Sequence, residues 1–121
     1  MKISFLSLDQ EQNKTYFVSE AVKENNTYIF LDNSTENVII YLTIEDESIY
    51  IRRTGEIEMF MHFKEGTTQK SSYKNKLGLE FEFQTQCTKL TVSDKKILIW
   101  YDMLMNDGFT SSFKLSLNIM N

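Results

Sequence analysis

His62 is the only histidine in the chain, so a Ser–His or Cys–His relay would have a single base available and no His-rich metal set can be assembled. It alternates with Phe60 and Lys64, which reads as a partly exposed strand residue with one polar partner rather than as a general base. Paired carboxylates occur at Glu56/Glu58 and Glu80/Glu82. Residues two apart on a strand lie about 7 Å apart, a spacing that suits glycosidic acid–base work only where both line a cleft. Alternation points these pairs away from Ile57, Met59, Leu79 and Phe81, which makes them a solvated face. Gly55, Gly66, Gly78 and Gly108 are too widely spaced to cradle phosphate, and no G-x-S-x-G elbow is present. Cys87 stands alone; it forms no intrachain disulfide, is expected to be a small buried hydrophobe, and makes a reducing compartment the simpler assumption. No catalytic residue, metal ligand set or cofactor motif emerges, which counts against an enzyme.

The densest basic element is Arg52-Arg53, followed by Thr54-Gly55. On a strand the two guanidinium groups point to opposite faces, so one of them is expected to turn inward. A charge inside an apolar interior needs a carboxylate or an anionic ligand, because an unpaired one costs several kcal/mol. Asp102, within Trp100-Tyr101-Asp102-Met103, is the expected internal partner, with an anion-binding Arg as the alternative. A looser basic scatter at Lys64, Lys70, Lys74 and Lys76, with Tyr73 among it, has the makings of a stacking groove for single-stranded nucleic acid. The net charge of −4 and pI near 5.0 argue against nucleic acid and against anionic membrane surfaces as partners.

Short apolar runs rich in β-branched and aromatic residues must position these groups, and polar clusters break them every eight to twelve residues. They predict strands near 2–8, 14–22, 27–32, 37–45, 48–54, 56–64, 67–74, 79–87, 88–93, 96–105 and 109–119. Turn chemistry lies at Asn25-Asn26, Asp32-Asn33-Ser34, Asp46-Glu47, Glu65-Gly66, Ser93-Asp94 and Asn106-Asp107-Gly108. Gly55, with almost no polar spacer around it, marks a bulge or sharp bend. Val38, Ile40, Leu42 and Ile44 share one face of their strand, as do Ile57, Met59, Met61 and Phe63, and as do Leu79, Phe81 and Phe83. No sustained helical stripe exists, so crossover helices and parallel sheets are not expected. Proline is absent and no linker or repeat divides the chain, so residues 1–121 form one all-β domain. A closed or nearly closed antiparallel barrel of about eight to eleven strands, with little or no helix, is the expected arrangement, since closure removes exposed edges.

Two strands are apolar on both faces, leaving Phe60, Leu98, Trp100 and Leu104 pointing outward. Either a self-association surface or the chain's own N-terminal segment is expected to cover them. The apolar stretch Ile3 to Leu8 is too short for a signal-peptide core or a membrane span, so the default location is cytoplasmic.

From about Thr43 onward, the order Arg53-Thr54-Gly55, Met59, Phe63, Gly66, Tyr73, Gly78 and Ile97-x-Ile99-x-Tyr101-Asp102-Met103 resembles the YwiB-like family of uncharacterised bacterial proteins, over about two-thirds of the chain. The resemblance implies a calycin-like β-barrel, the architecture of lipocalins and fatty-acid-binding proteins, in cytoplasmic proteins. It transfers no catalytic residue.

Two functions remain open. One is a binding protein whose barrel mouth or lumen takes a small apolar or amphipathic ligand, with Arg53, Tyr101 and Asp102 as polar groups of the site. The other is a protein-interaction or homodimerisation module that uses the Phe60, Leu98 and Trp100 face.

Overall fold

The computed structural model describes residues 1–121. Ten strands follow one another: β1 (Lys2–Asp9), β2 (Lys14–Glu24), β3 (Thr27–Leu31), β4 (Val38–Glu45), β5 (Ser48–Gly55), β6 (Ile57–Lys64), β7 (Thr68–Asn75), β8 (Glu80–Val92), β9 (Lys96–Leu104) and β10 (Thr110–Met120). Each pairs antiparallel with its neighbours in sequence, and β1 also pairs with β10 from Lys2↔Met120 to Asp9↔Phe113, closing the barrel. There is no helix, so none is long and apolar enough to cross a membrane.

The predicted alternation holds on both sides of the wall, except that Leu79, expected in series with Phe81 and Phe83, lies in the β7–β8 turn bonded to Asn75 and is exposed. Val38, Ile40 and Leu42 on β4, Ile49 and Ile51 on β5, Met61 and Phe63 on β6, and Ile97 and Ile99 on β9 are all buried. Twenty buried side chains form one continuous cluster inside the barrel. Each large apolar side chain withdrawn from water in this way contributes about 1.5–3 kcal/mol before chain entropy is set against it.

Strands expected at 79–87 and 88–93 are a single element, β8. A bulge between Cys87 and Lys89 inserts one residue, so the inward series Phe81, Phe83, Thr85, Cys87 continues at Leu90 instead of at residue 89. The change of parity mimics a break in the sequence pattern although the chain runs straight on. Thr88 remains in the strand and donates its hydroxyl to the Trp100 carbonyl at 3.1 Å.

β6 pairs with β7 only from Ile57↔Asn75 to Phe60↔Ser72. Beyond that point the two strands diverge, and Thr85 bridges the gap by donating its hydroxyl to the His62 carbonyl at 2.6 Å. The β6–β7 turn is tied to β8 in turn, with the Gly66 amide donating to the Cys87 carbonyl and the Cys87 amide to the Thr67 carbonyl.

The connections separate the two ends of the barrel. At one end lie the tight turns after β2, β4, β6 and β8, together with both chain termini. The β4–β5 turn there is a two-residue loop in which Asp46 and Glu47 both take positive φ, as a hairpin matched to strand twist requires. At the opposite end lie the β1–β2, β3–β4, β7–β8 and β9–β10 loops and the abrupt β5–β6 bend at Gly55. Gly55 has φ +128°, and a Cβ placed on it would come within 1.8 Å of the Asn37 carbonyl oxygen. That oxygen accepts the Glu56 amide at 3.2 Å, so the backbones of the two connections touch where no side chain fits.

Gly55→Ala should therefore lower stability by about 3 kcal/mol or more, read from urea unfolding. Gly108→Ala has a φ of +89° but open space around the new Cβ, so its cost is set by backbone strain alone, about 1 kcal/mol. Equal costs at the two positions would show that the close approach to Asn37 has no weight.

Candidate binding mouth

The two ends of the interior differ in how well they are filled, although at the tight-turn end Ile44 and Leu90 also stay half-buried beside a cleft of about 430 Å³. Near the tight turns, β-branched and aromatic side chains such as Ile49, Phe63, Ile97 and Leu117 are fully buried. Towards the opposite end the inward series finishes in side chains that are only half-buried: Met59 on β6, Tyr73 on β7, Phe81 on β8, Met103 on β9 and Phe113 on β10. Tyr73 stacks on Phe81 at 5.1 Å between ring centroids, and Phe113 stacks on Tyr101 at 5.3 Å. A cleft of about 540 Å³ runs across β5 to β8 here; Arg53, Met59, Ser71, Tyr73 and Phe81 line it from the inward series, while most of its lining is outward and polar, including Arg52, Glu58, Lys70, Lys74, Glu80 and Glu82. Leu77, Leu79 and Phe109 stand exposed on the β7–β8 and β9–β10 loops at the same end of the barrel.

Alternation along β5 sends the two arginines apart as expected. Arg52 points outward and lays its guanidinium over the Tyr41 ring at 4.7 Å. Arg53 points inward, over the Phe5 ring at 5.8 Å. Its carboxylate neighbour is Asp32, not Asp102, with Nη1 3.9 Å from Oδ2. That separation is beyond hydrogen-bond length, so the attraction is Coulombic only. Arg53 Nε is buried and has no hydrogen-bond partner. Asp32 itself is buried and turns its other oxygen, Oδ1, to the backbone amide and hydroxyl of Ser34.

Asp102 lies on the outer side of β9 and accepts the Ser112 hydroxyl at 2.7 Å. The reason is parity: it shares the even series with Leu98 and Trp100, whereas Ile97, Ile99 and Tyr101 point in. Tyr101 is thus the residue of this strand that the fold brings to Arg53. Burial drives its hydroxyl pKa up to about 12, and the nearby Arg53 charge pulls in the opposite direction.

The expected outer interaction face is not continuous. Phe60 on β6 is opposite Ser72 on β7, which is opposite Glu82 on β8, so two strands with polar outer side chains separate it from Leu98 and Trp100 on β9. Trp100 is flanked by Lys89 Nζ at 4.7 Å and Lys114 Nζ at 4.4 Å, whose aliphatic stems and charge cover the indole. The N-terminal segment covers none of these residues, because it is strand β1 of the wall.

The remaining candidates fall into place as wall residues. His62 Nε2 is 3.0 Å from Ser48 Oγ and its ring stacks on Tyr50 at 4.3 Å; partial burial, and secondarily the Lys64 charge, lower its pKa. Cys87 is buried, and burial raises its thiol pKa, which disfavours the reactive thiolate. The lysines are interleaved with acids: Lys74 is opposite both Glu58 and Glu80, and Lys76 pairs with Glu56 at 3.3 Å. No group of three His, Cys, Asp or Glu side chains is placed to hold a metal ion. Sequence reasoning missed Asp32, read as a turn residue, and missed the half-buried ring of Met59, Tyr73, Phe81, Met103 and Phe113. The strand parity that buries Phe63 and Ile99 also places these five inside the wall.

The fold and this end of the lumen define a small closed antiparallel barrel with one better-filled end and, opposite, a mouth where half-buried aromatic and Met side chains and a polar outer rim meet an inward cation. The chain belongs to the family described as Domain of unknown function (DUF1934), whose model matches residues 4–117. In structure it is similar to the YwiB protein from Bacillus subtilis, with a TM-score of 0.66 over 99% of this chain and 91% of that one. At 15% identity the likeness extends to the fold. No curated protein matches the sequence.

Tyr101 gives this arrangement a signature at high pH. Its folded pKa of about 12 lies above the ordinary value of 10, so between those pH values the unfolded chain releases a proton that the folded chain retains. The stabilisation is complete below pH 10 and is lost as pH rises through about 12, amounting to about 2–3 kcal/mol. Tyr101→Phe should keep the packing and remove this part of the alkaline loss of stability, as measured by urea unfolding at pH values on both sides of the window. An unchanged alkaline slope in the variant would place the hydroxyl in water.

Proposed function

We propose that this protein is a non-enzymatic binding protein that takes a small amphipathic ligand at the mouth of its barrel. The apolar part rests on Met59, Tyr73, Phe81 and Phe113, and the polar end reaches Arg53 and Tyr101. The observation that carries this reading is the concentration of half-buried aromatic and Met side chains at the mouth, six there (Met59, Tyr73, Phe81, Met103, Met105 and Phe113) against Ile44 and Leu90 at the better-filled end. Apolar surface left partly wet is stabilised when a ligand covers it, and thioether and aromatic side chains adapt to irregular shapes. The cleft of about 540 Å³ beside Arg53, Met59, Tyr73 and Phe81 has the size of small-molecule sites, and Tyr101 and Phe113 line a neighbouring cleft of about 340 Å³. The unpartnered Arg53 Nε supplies the kind of single, well-placed polar group that orients a ligand in such sites. Association through Phe60, Leu98 and Trp100 draws less support, because two strands with polar outer side chains separate Phe60 from Leu98 and Trp100.

Titration of isotope-labelled protein with anilinonaphthalene sulfonate, followed by amide chemical shifts, should move Met59, Tyr73, Phe81 and Phe113 and leave Leu42 and Ile97 at the filled end in place. Phe81→Ala should weaken binding by about tenfold while the circular dichroism spectrum is retained. Absence of shifts at about 1 mM probe, or shifts centred on the outer face around Trp100, would contradict the proposal.

A further inference from the structure

The β2–β3 seam is, with β6–β7, one of the two shortest seams of the wall. β2 pairs with β1 from Lys14 to Glu20, but with β3 only from Ala21↔Phe30 to Glu24↔Thr27. Along the rest of β2 its other edge has no strand beside it. The loop between β3 and β4 occupies this place: Asn33 Nδ2 donates to the Val18 carbonyl at 2.7 Å, and the Asp32 amide donates to the Val38 carbonyl at 2.9 Å. From the root of this loop Asp32 turns inward to Arg53.

Asp32 is a poor partner for the charge it faces. A carboxylate and a guanidinium this well buried normally meet in a two-pronged contact near 2.8 Å. Here a single nitrogen stands 3.9 Å away, Nε has no acceptor, and one carboxylate oxygen is engaged by Ser34 of its own loop. The Asp32 geometry serves the loop first and Arg53 second. Tyr101 and the face of Phe5 are the other groups turned to the guanidinium, and neither carries a negative charge at neutral pH.

Building on the mouth-binding function above, we propose that the ligand is an anion-headed amphiphile and that its head group replaces Asp32 at Arg53. A carboxylate or phosphate ester entering the mouth can accept from Nη1 and from the free Nε together, which Asp32 cannot do from its place in the loop. Asp32 is then released towards solvent, and the loop that plugs the β2–β3 seam loses its inward attachment. Asp32 is a built-in placeholder: it neutralises Arg53 in the empty barrel and yields to a better-shaped anion. Binding and loosening of the β3–β4 loop are consequently the same event seen at two places.

Calorimetric titration with octanoate, octyl phosphate, octanol and octyltrimethylammonium tests this on the intact chain. Both anions should bind at least about tenfold more tightly than octanol, and the cation more weakly than octanol. The better of the two anions identifies the head group. Asp32→Asn keeps an acceptor for Ser34 but removes the competing charge, so it should tighten octanoate binding about tenfold and leave octanol unchanged. Arg53→Gln, made alone and together with Asp32→Asn so that no buried charge is left unpaired, should abolish the preference for anions. In the unaltered protein, octanoate should speed hydrogen exchange at Asn33 to Asn37 while slowing it at Tyr73 and Phe81. Equal affinity for octanoate and octanol, or an Asp32→Asn variant that binds octanoate no more tightly, would overturn the placeholder and leave the mouth-binding function standing. Failure of all four compounds to bind would overturn both.

Discussion

Eight residue pairs between β1 and β10, from Lys2↔Met120 to Asp9↔Phe113, join the two ends of the chain, and the remainder of the structure depends on that seam. Without it, nine hairpin ladders would make a long twisted sheet with two open edges and an apolar face with nothing to pack against. With it, the odd-numbered side chains of β1 and β10, among them Ile3, Phe5, Leu115, Leu117 and Ile119, complete a lining that is continuous around the lumen. The partners lie almost the full chain length apart, so this contact bears a large loop-closure cost and gains its stabilisation only once the intervening strands are ordered. Gln10 reinforces it at the mouth, accepting the Ser112 amide through its side-chain carbonyl at 3.3 Å.

Closure also makes the two ends unequal. Tight turns let branched aliphatic side chains fill one end, whereas the longer loops opposite hold the wall apart over Met59, Tyr73, Phe81 and Phe113. Arg53 sits where that packing thins. A cation there contributes little to the fold when its counter-ion stands at 3.9 Å and a buried nitrogen goes unpaired, and well-packed apolar residues in place of such a pair are often neutral or stabilising. Features that weaken local consistency tend to mark functional positions, and here the weakness coincides with the half-buried mouth.

Most of the barrel was legible because a period of two needs only the chain itself. Alternation on β4, β6 and β9 told inside from outside, and Asn, Asp and Gly marked the hairpins. Three features were hidden for definite reasons. The bulge at Cys87 to Lys89 shifts parity by one, and a parity shift within a strand has the same pattern as two strands meeting. Asp102 looks like the partner of Arg53 because it stands among apolar neighbours, yet parity with Trp100 already sends it outward. Asp32 was concealed by its second role: turn chemistry explains an aspartate at the end of a strand, and only the closed barrel shows that the turn folds back over the lumen. The mouth was invisible for a similar reason, since Tyr73 and Phe81 have the same alternation as fully buried side chains and differ only in their height along the barrel axis.

The central claim is that Arg53 is held inside the barrel by a weak, replaceable partner and not by a structural ion pair. A thermodynamic cycle of Arg53→Gln, Asp32→Asn and the double variant, followed by urea unfolding of the ligand-free protein, measures that partnership directly. The account predicts a coupling of about 1–2 kcal/mol, the Coulombic attraction of a pair that makes no hydrogen bond. A coupling of about 3 kcal/mol or more, the scale of a buried and well-formed pair, would contradict it.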